Sequence, residues 1–347
     1  MNKKTVLVVD DSAFMRKMIS DIINRSNSLE VLDTARNGKD AMEKRKKLRP
    51  DVITLDIEMP LIDGIAALQE IMKEDPLPVV MLSSLTKTGA DKTIEAMTLG
   101  AVDFITKPSG SISLNIRDIE SEIIKKVEQA AQVQLPETKK NTSWTQVSYS
   151  TKKMKGNNSL VAIGSSTGGP RALQNILTSL SKNFSAPIVI VQHMPKGFTK
   201  SLAERLNRQS QIEVKEVRNG EMLENGVAYI AEGGKQFQVV EKEGRFVAQV
   251  DKKVPVNGHQ PSVDTLFHSI SLLTNCHPIA IVLTGMGKDG ATGIKQLKRR
   301  HPRTLCIAQS KETCVVYGMP QAAEKTSLVD YIIDLDEISQ MLQHKIQ

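Results

Sequence analysis

Short apolar runs alternate with stretches of helical spacing along most of this chain. In the first third, the runs at residues 5–9, 31–32, 52–55, 78–82 and 102–105 read as strands and end in polar or turn residues. Between the first two, Phe14, Met18, Ile22 and Ile23 fall on one face of a helix, and residues 38–48 read as a second, basic helix. Five strand–helix alternations predict a parallel α/β sheet with right-handed crossovers. A charged helix over 116–134 closes this part.

Periodicity then stops. Residues 136–158 are polar and basic, with Lys139, Lys140, Lys152, Lys153 and Lys155, and read as a linker. Trp144, the only tryptophan, is a docking residue or an incidental one; both readings stand. The pattern resumes with a strand at 160–163, a turn of small residues, and a helix entered through Pro170. Strands follow at 188–191, 212–217, 227–231, 237–240 and 245–250, the last two joined by a Glu-Lys-Glu-Gly turn. Helices over 200–208, 262–273 and 291–300 and strands at 278–283 and 304–308 complete the pattern. We expect a doubly wound, mostly parallel α/β domain carrying an antiparallel hairpin. The expected organisation is a first domain at 1–122, a helix and linker at 123–158, and a second domain at 159–347.

Composition narrows the class. The chain has 347 residues, 40% hydrophobic and 24% charged, the balance of a soluble globular protein. No apolar run approaches a membrane span, and Met1-Asn2-Lys3-Lys4 leads into a strand without a secretory leader. Cys276, Cys306 and Cys314 have no metal-ligand spacing and fit reduced thiols, so a cytoplasmic location is expected. The net charge of +7 is uneven. Residues 1–135 carry 19 basic and 21 acidic groups (−2), residues 136–158 five and one (+4), and the remainder 22 and 17 (+5). That excess fits an acidic partner or plain solubility.

Chemistry-bearing residues recur at the carboxyl ends of the expected strands. In the first domain these are Asp10, Asp11, Asp56, Ser83 and Lys107, which an open α/β sheet gathers in one crevice. Carboxylates gathered there repel unless a cation lies between them, and an all-oxygen set suits Mg²⁺ with phosphate oxygens. Asp10-Asp11, Leu55-Asp56-Ile57-Glu58-Met59-Pro60, Ser83 and Lys107-Pro108 resemble the receiver domains of two-component response regulators, over residues 3 to about 122. The resemblance implies a flavodoxin-like five-stranded sheet. It implies phosphorylation of Asp56 by a histidine kinase, with Mg²⁺ held by Asp11, Asp56 and the Glu58 backbone carbonyl, and Asp10 nearby. Ser83 and Phe104 stand at the family's switch positions, beside Lys107.

In the second domain, Gly164-Ser165-Ser166-Thr167-Gly168 places a serine on a tight strand-to-helix turn. His193 and Asp289 each follow another apolar strand, so all three can meet in one crevice. A serine needs a base to become a nucleophile, and an imidazole needs a carboxylate to hold its tautomer. The chain order Ser, His, Asp differs from that of an α/β-hydrolase. A dinucleotide site calls for an acidic residue after the next strand, which ends in Gln192-His193 instead.

Gly164-x-Ser166-Thr-Gly-Gly169, Gln192-His193-Met-Pro-x-Gly-Phe198-Thr199, Pro261-Ser-Val-Asp264, Leu283-Thr-Gly-Met-Gly-x-Asp289-Gly290 and Val315-Val-Tyr-Gly-Met-Pro320 resemble the chemotaxis receptor methylesterases, the CheB family. This implies hydrolysis of glutamate methyl esters on chemotaxis receptors with release of methanol, extending to deamidation of receptor glutamines, with no cofactor for the esterase. Ser165 departs from the alanine common there; Ser166, at the central position of Gly-x-Ser-x-Gly, is the expected nucleophile. Backbone N–H groups of Thr167 and Met286 are candidate oxyanion donors. The expected partners are the receptors and a chemotaxis histidine kinase, with the unphosphorylated receiver covering the Ser166 crevice; nucleic acid is not expected. The competing class is a response regulator whose second domain binds DNA or a protein partner.

Overall fold

The computed structural model describes residues 3–107, 116–133 and 158–346. The expected linker with Trp144, Lys139 and Lys140, and Pro108 after Lys107, lie outside the described residues. The chain divides into two compact units, Met1–Lys140 and Asn141–Gln347.

The first unit runs β1 (Lys4–Val9), α1 (Ala13–Asn24), β2 (Leu29–Ala35), α2 (Gly38–Leu48), β3 (Val52–Asp56), α3 (Gly64–Glu74), β4 (Val79–Ser83), α4 (Lys87–Leu99), β5 (Asp103–Thr106) and α5 (Ile116–Ala130). The strands form one parallel sheet in the order β2-β1-β3-β4-β5. Every residue of β3 and β4 is buried, which explains why they read as unbroken apolar runs. Helix starts follow their caps: Ser12, Asn37, Asp63 and Thr86 each accept an N–H from the first turn. Ile123, Val127 and Ala130 of α5 are buried. The strand order reverses between β1 and β3, so Asp10 and Asp56 flank the switch-point crevice.

The second unit runs β6 (Ser159–Ser165), α6 (Gly169–Ser179), β7 (Ile188–Gln192), α7 (Phe198–Gln209), β8 (Glu213–Glu216), β9 (Val227–Ile230), β10 (Gln236–Lys242), β11 (Arg245–Asp251), α8 (Val263–Ser271), β12 (His277–Val282), α9 (Ala291–Arg300), β13 (Leu305–Gln309), a 3₁₀ turn (Lys311–Thr313), α10 (Met319–Glu324), β14 (Tyr331–Ile333) and α11 (Leu335–Ile346). Seven strands make a wholly parallel sheet, β14-β13-β12-β6-β7-β9-β8. The antiparallel pair β10-β11 is a separate hairpin, turned at Glu243-Gly244 with φ of 51° and 73°. It joins Val263, Leu266 and Phe267 of α8 and Ile294 of α9 in one core cluster with Leu160 and Ala162 of β6. Strand 304–308, expected to be the last, is followed by β14 and α11, the latter packed on α6.

The second switch point lies between β6 and β12. From β6 the chain passes to β7, then to the edge strand β8 and back to β9 between them, before returning to the other side of β6 as β12. The loops after β6, β7 and β12 carry Ser166, His193 and Asp289, so the topology brings the three expected residues to one edge.

Candidate active site

The turn that carries Ser166 is assembled by close packing. Ser165, the last residue of β6, is fully buried, and its hydroxyl donates to Gln192 Oε1 (2.6 Å). Ser166 is partly exposed. The two serines are thereby distinguished: one is spent on the fold, the other faces the crevice. Gly168, with φ of +77°, makes the turn, where an added Cβ would come within 2.6 Å of Val315. Thr284, after β12, secures it from the side: its carbonyl accepts Ser166 N–H (3.1 Å) and its hydroxyl donates to the Thr167 carbonyl (3.0 Å).

Gln192 ties the turn to His193. Its Nε2 donates to the carbonyls of Ser166 (3.0 Å) and His193 (3.2 Å), while His193 N–H donates to the Ser165 carbonyl (3.0 Å). Two carbonyls and one hydroxyl around a single amide leave only one orientation that satisfies all three.

His193 and Asp289 are in direct contact, Nε2 to Oδ2 at 2.8 Å. The Asp289 carboxylate is 1% exposed and accepts three further hydrogen bonds at the start of α8, from Ser262 Oγ (2.9 Å), Val263 N (2.7 Å) and Asp264 N (2.9 Å). Burial alone would raise its pKa. The His193 bond and the helix N–H groups outweigh burial and hold it below the usual carboxylate range. The exchange is reciprocal, since Asp264 Oδ1 accepts Gly290 N (2.9 Å) and Gly293 N (2.7 Å) at the start of α9. Each carboxylate therefore terminates the other's helix.

With Nε2–H committed to a carboxylate, the proton acceptor of the ring is Nδ1, which is buried and has no hydrogen-bond partner. This reverses the nitrogen roles of the chymotrypsin triad. Among the described residues no hydrogen bond joins Ser166 Oγ to His193, which is common before substrate arrives. The His193 ring also stacks on His259, centroids 3.9 Å apart and planes 5° from parallel.

In the first unit, Lys107 Nζ bridges Asp10 Oδ2 (2.9 Å) and Asp56 Oδ1 (2.8 Å). Burial raises the Asp56 pKa to about 6, against the Lys107 ammonium and with the Asp10 carboxylate. Carboxylate oxygens of Asp10, Asp11 and Asp56 lie within 4.8 Å of one another, and buried Asp56 Oδ2 lacks a hydrogen-bond partner. These all-oxygen donors fit Mg²⁺. Ser83 is buried and accepts from Thr93 Oγ1 (2.6 Å), so its hydroxyl is engaged with α4 rather than Asp56. Phe104 is 4% exposed, its ring 5.1 Å from Lys126 Nζ. Glu58 is exposed, its N–H directed to Asp56 Oδ1 (3.3 Å).

The family model for CheB methylesterase matches residues 161–342, and that for the response regulator receiver domain matches residues 6–117. This chain belongs to the CheB methylesterase family. It is 51% identical over 347 residues to a protein-glutamate methylesterase/protein-glutamine glutaminase of Oceanobacillus iheyensis, covering 99% of both chains. It is 45% identical over 344 residues to the protein of that name in Bacillus subtilis, covering 96% of both. The second unit is similar to the crystal structure of the Thermotoga maritima CheB methylesterase catalytic domain, with a TM-score of 0.51, 43% identity, and coverage of 53% of this chain and 96% of that one. None of these matches favours a DNA- or partner-binding output. No described helix is long and apolar enough to cross a membrane.

Sequence reasoning did not assign roles to Gln192, Thr284, His259, Ser262 or Asp264. Gln192, Ser262, Asp264 and Thr284 stand inside motifs that carry the family resemblance, but the hydrogen bonds that tie them to the site reach mainly to residues 25 or more positions away. His259 sits in a loop whose composition reads as a turn and nothing more.

Proposed function

We propose that the second unit hydrolyses glutamate methyl esters on chemotaxis receptors, with Ser166 as nucleophile, His193 as general base and Asp289 as its orienting carboxylate. The observation that carries this reading is the His193–Asp289 contact of 2.8 Å, with a buried His193 Nδ1 left to accept a proton, at the switch point where Ser166 emerges.

Ser166 Oγ attacks the ester carbonyl carbon as its proton passes to His193 Nδ1. Asp289 steadies the imidazolium that forms. The oxyanion is held by N–H groups of Thr167 and Met286. Collapse expels methanol, protonated by His193, and leaves an acyl-serine. Water, deprotonated by His193, attacks the acyl carbon, releasing the glutamate carboxylate and restoring Ser166. A glutamine substrate follows the same route with ammonia as leaving group. No cofactor enters these steps.

The first unit receives a phosphoryl group on Asp56 from a chemotaxis histidine kinase, in the cytoplasm. Asp11, Asp56 and the Glu58 carbonyl would hold Mg²⁺, with Asp10 beside them; bound there, it neutralises charge on the phosphoryl oxygens. Lys107 offers a further cation to the phosphoryl group. Ser83 turns from Thr93 toward it, and Phe104 repacks.

Methanol release from methylated receptor membranes tests the reading. Release on addition of the unaltered chain supports it; no release above the membrane background contradicts it.

A further inference from the structure

Residues 252–258, between β11 and α8, are seven consecutive exposed positions. They are nevertheless well held. Asn257 and Gly258, with φ of 52° and 80°, form a tight turn closed by Val256 N to His259 O (3.0 Å) and His259 N to Val256 O (2.9 Å). Below the turn, Gln236 Nε2 donates to the His259 carbonyl (3.1 Å), Gly234 N to the Gln260 carbonyl (2.9 Å), and Gln260 Nε2 to the Lys253 carbonyl. The base of the loop is fastened to β10, and His259 lies flat against His193.

What this fastened loop displays is apolar and cationic. Val254 is 81% exposed and Val256 37% exposed, on either side of Pro255 and after Lys252 and Lys253. An ordered loop with neighbouring apolar side chains turned to water, beside a reactive centre, marks a contact surface more than a solvated turn. The loops after β7 and β12 add exposed Lys196 and Lys288. None of the loops carrying Ser166, His193, Asp289 or this display contributes an exposed carboxylate.

We propose that residues 252–258 are a docking arm for an acidic, amphipathic segment of the substrate protein, seated beside His193. The proposal rests on the receptor-esterase reading given above. A polypeptide that presents clustered glutamates and their esters gains a carboxylate at every turnover, so its charge complements Lys252, Lys196 and Lys288. Val254 and Val256 would meet its apolar stripe. Contact made outside the reacting ester contributes to protein-substrate affinity and nothing to a small ester.

The full chain is tested as V254S/V256S and as K252E, all at exposed positions. Two substrates are used, methylated receptor membranes and a small blocked glutamate methyl ester. We expect KM on receptor membranes to rise about tenfold, with kcat retained and small-ester hydrolysis within about twofold of the unaltered chain. The K252E effect should shrink at high salt. Unchanged receptor kinetics overturn the arm. A parallel fall on both substrates also overturns it, since the loop would then act on the base through His259. If the unaltered chain cleaves the small ester but releases no methanol from receptors, the receptor reading falls and takes the arm with it.

Discussion

Two adjacent serines at the end of β6 have opposite fates. Ser165 is buried against Gln192, whereas Ser166 opens to the crevice. Ser166→Ala should therefore lower ester turnover by a factor on the order of 10⁶ with an unchanged melting curve. Ser165→Ala removes one buried hydrogen bond, on the order of 1 kcal/mol, and should retain most activity. A dead Ser165→Ala with an active Ser166→Ala would reverse the assignment. The four residues proposed to carry chemistry, Ser166, His193, Asp289 and Asp56, stand out in the sequence because each lies at or beyond the carboxyl end of an apolar run. Gln192 and His259 were not, because a buried amide shared between two strands and a ring stacked across a loop are tertiary facts. His259→Ala should lower kcat about tenfold with KM little changed, and His259→Phe, which keeps a flat ring, should restore much of it. Failure of the phenylalanine to restore kcat would show that stacking is not what positions His193.

Asp56 carries a prediction with a definite sign. Its folded pKa of about 6 lies above the ordinary 3.8, so the folded unit prefers the neutral carboxyl. Stability present below about pH 4 is lost as pH rises to about 6, and the loss stays constant above that. Allowing for partial solvent screening, the loss is on the order of 1–2 kcal/mol. Metal-free Asp56→Asn should accordingly melt higher than the unaltered chain at pH 8 and alike at pH 4. An equal shift at both pH values would contradict burial as the cause.

At the scale of elements, α8 and α9 are joined by exchanged caps, Asp289 on α8 and Asp264 on α9. Asp264→Ala deprives two N–H groups of α9 of their acceptor. It should cost about 1–2 kcal/mol in a denaturant melt and lower kcat by displacing Asp289, while Asp264→Asn keeps an acceptor and most of both. Loss of stability without loss of kcat would uncouple the cap from the site. Central strands were easy to read, since β6 and β7 are buried throughout and are built on the apolar runs 160–163 and 188–191. β14 was missed because it is a three-residue edge strand with no fully buried position, too short for any period to register. α11 follows it directly, with its apolar face set against α6.

At the scale of the whole molecule, two α/β units each gather their chemistry at a topological switch point, β1/β3 in one and β6/β12 in the other. A phosphoacceptor joined to an esterase implies control of one by the other. If the unphosphorylated receiver inhibits, removal of residues 1–140 should raise basal activity toward receptors. Asp56→Asn should keep basal activity and lose the response to a phosphodonor. An isolated second unit no faster than the unphosphorylated full chain would make the receiver an activator instead. The most direct test of the account is the initial rate of methanol release from methylated receptor membranes, compared for the unaltered chain and Ser166→Ala, each with and without a small phosphodonor and Mg²⁺. Release should rise with the phosphodonor for the unaltered chain and be absent for Ser166→Ala under either condition. Release by Ser166→Ala at the rate of the unaltered chain would contradict it.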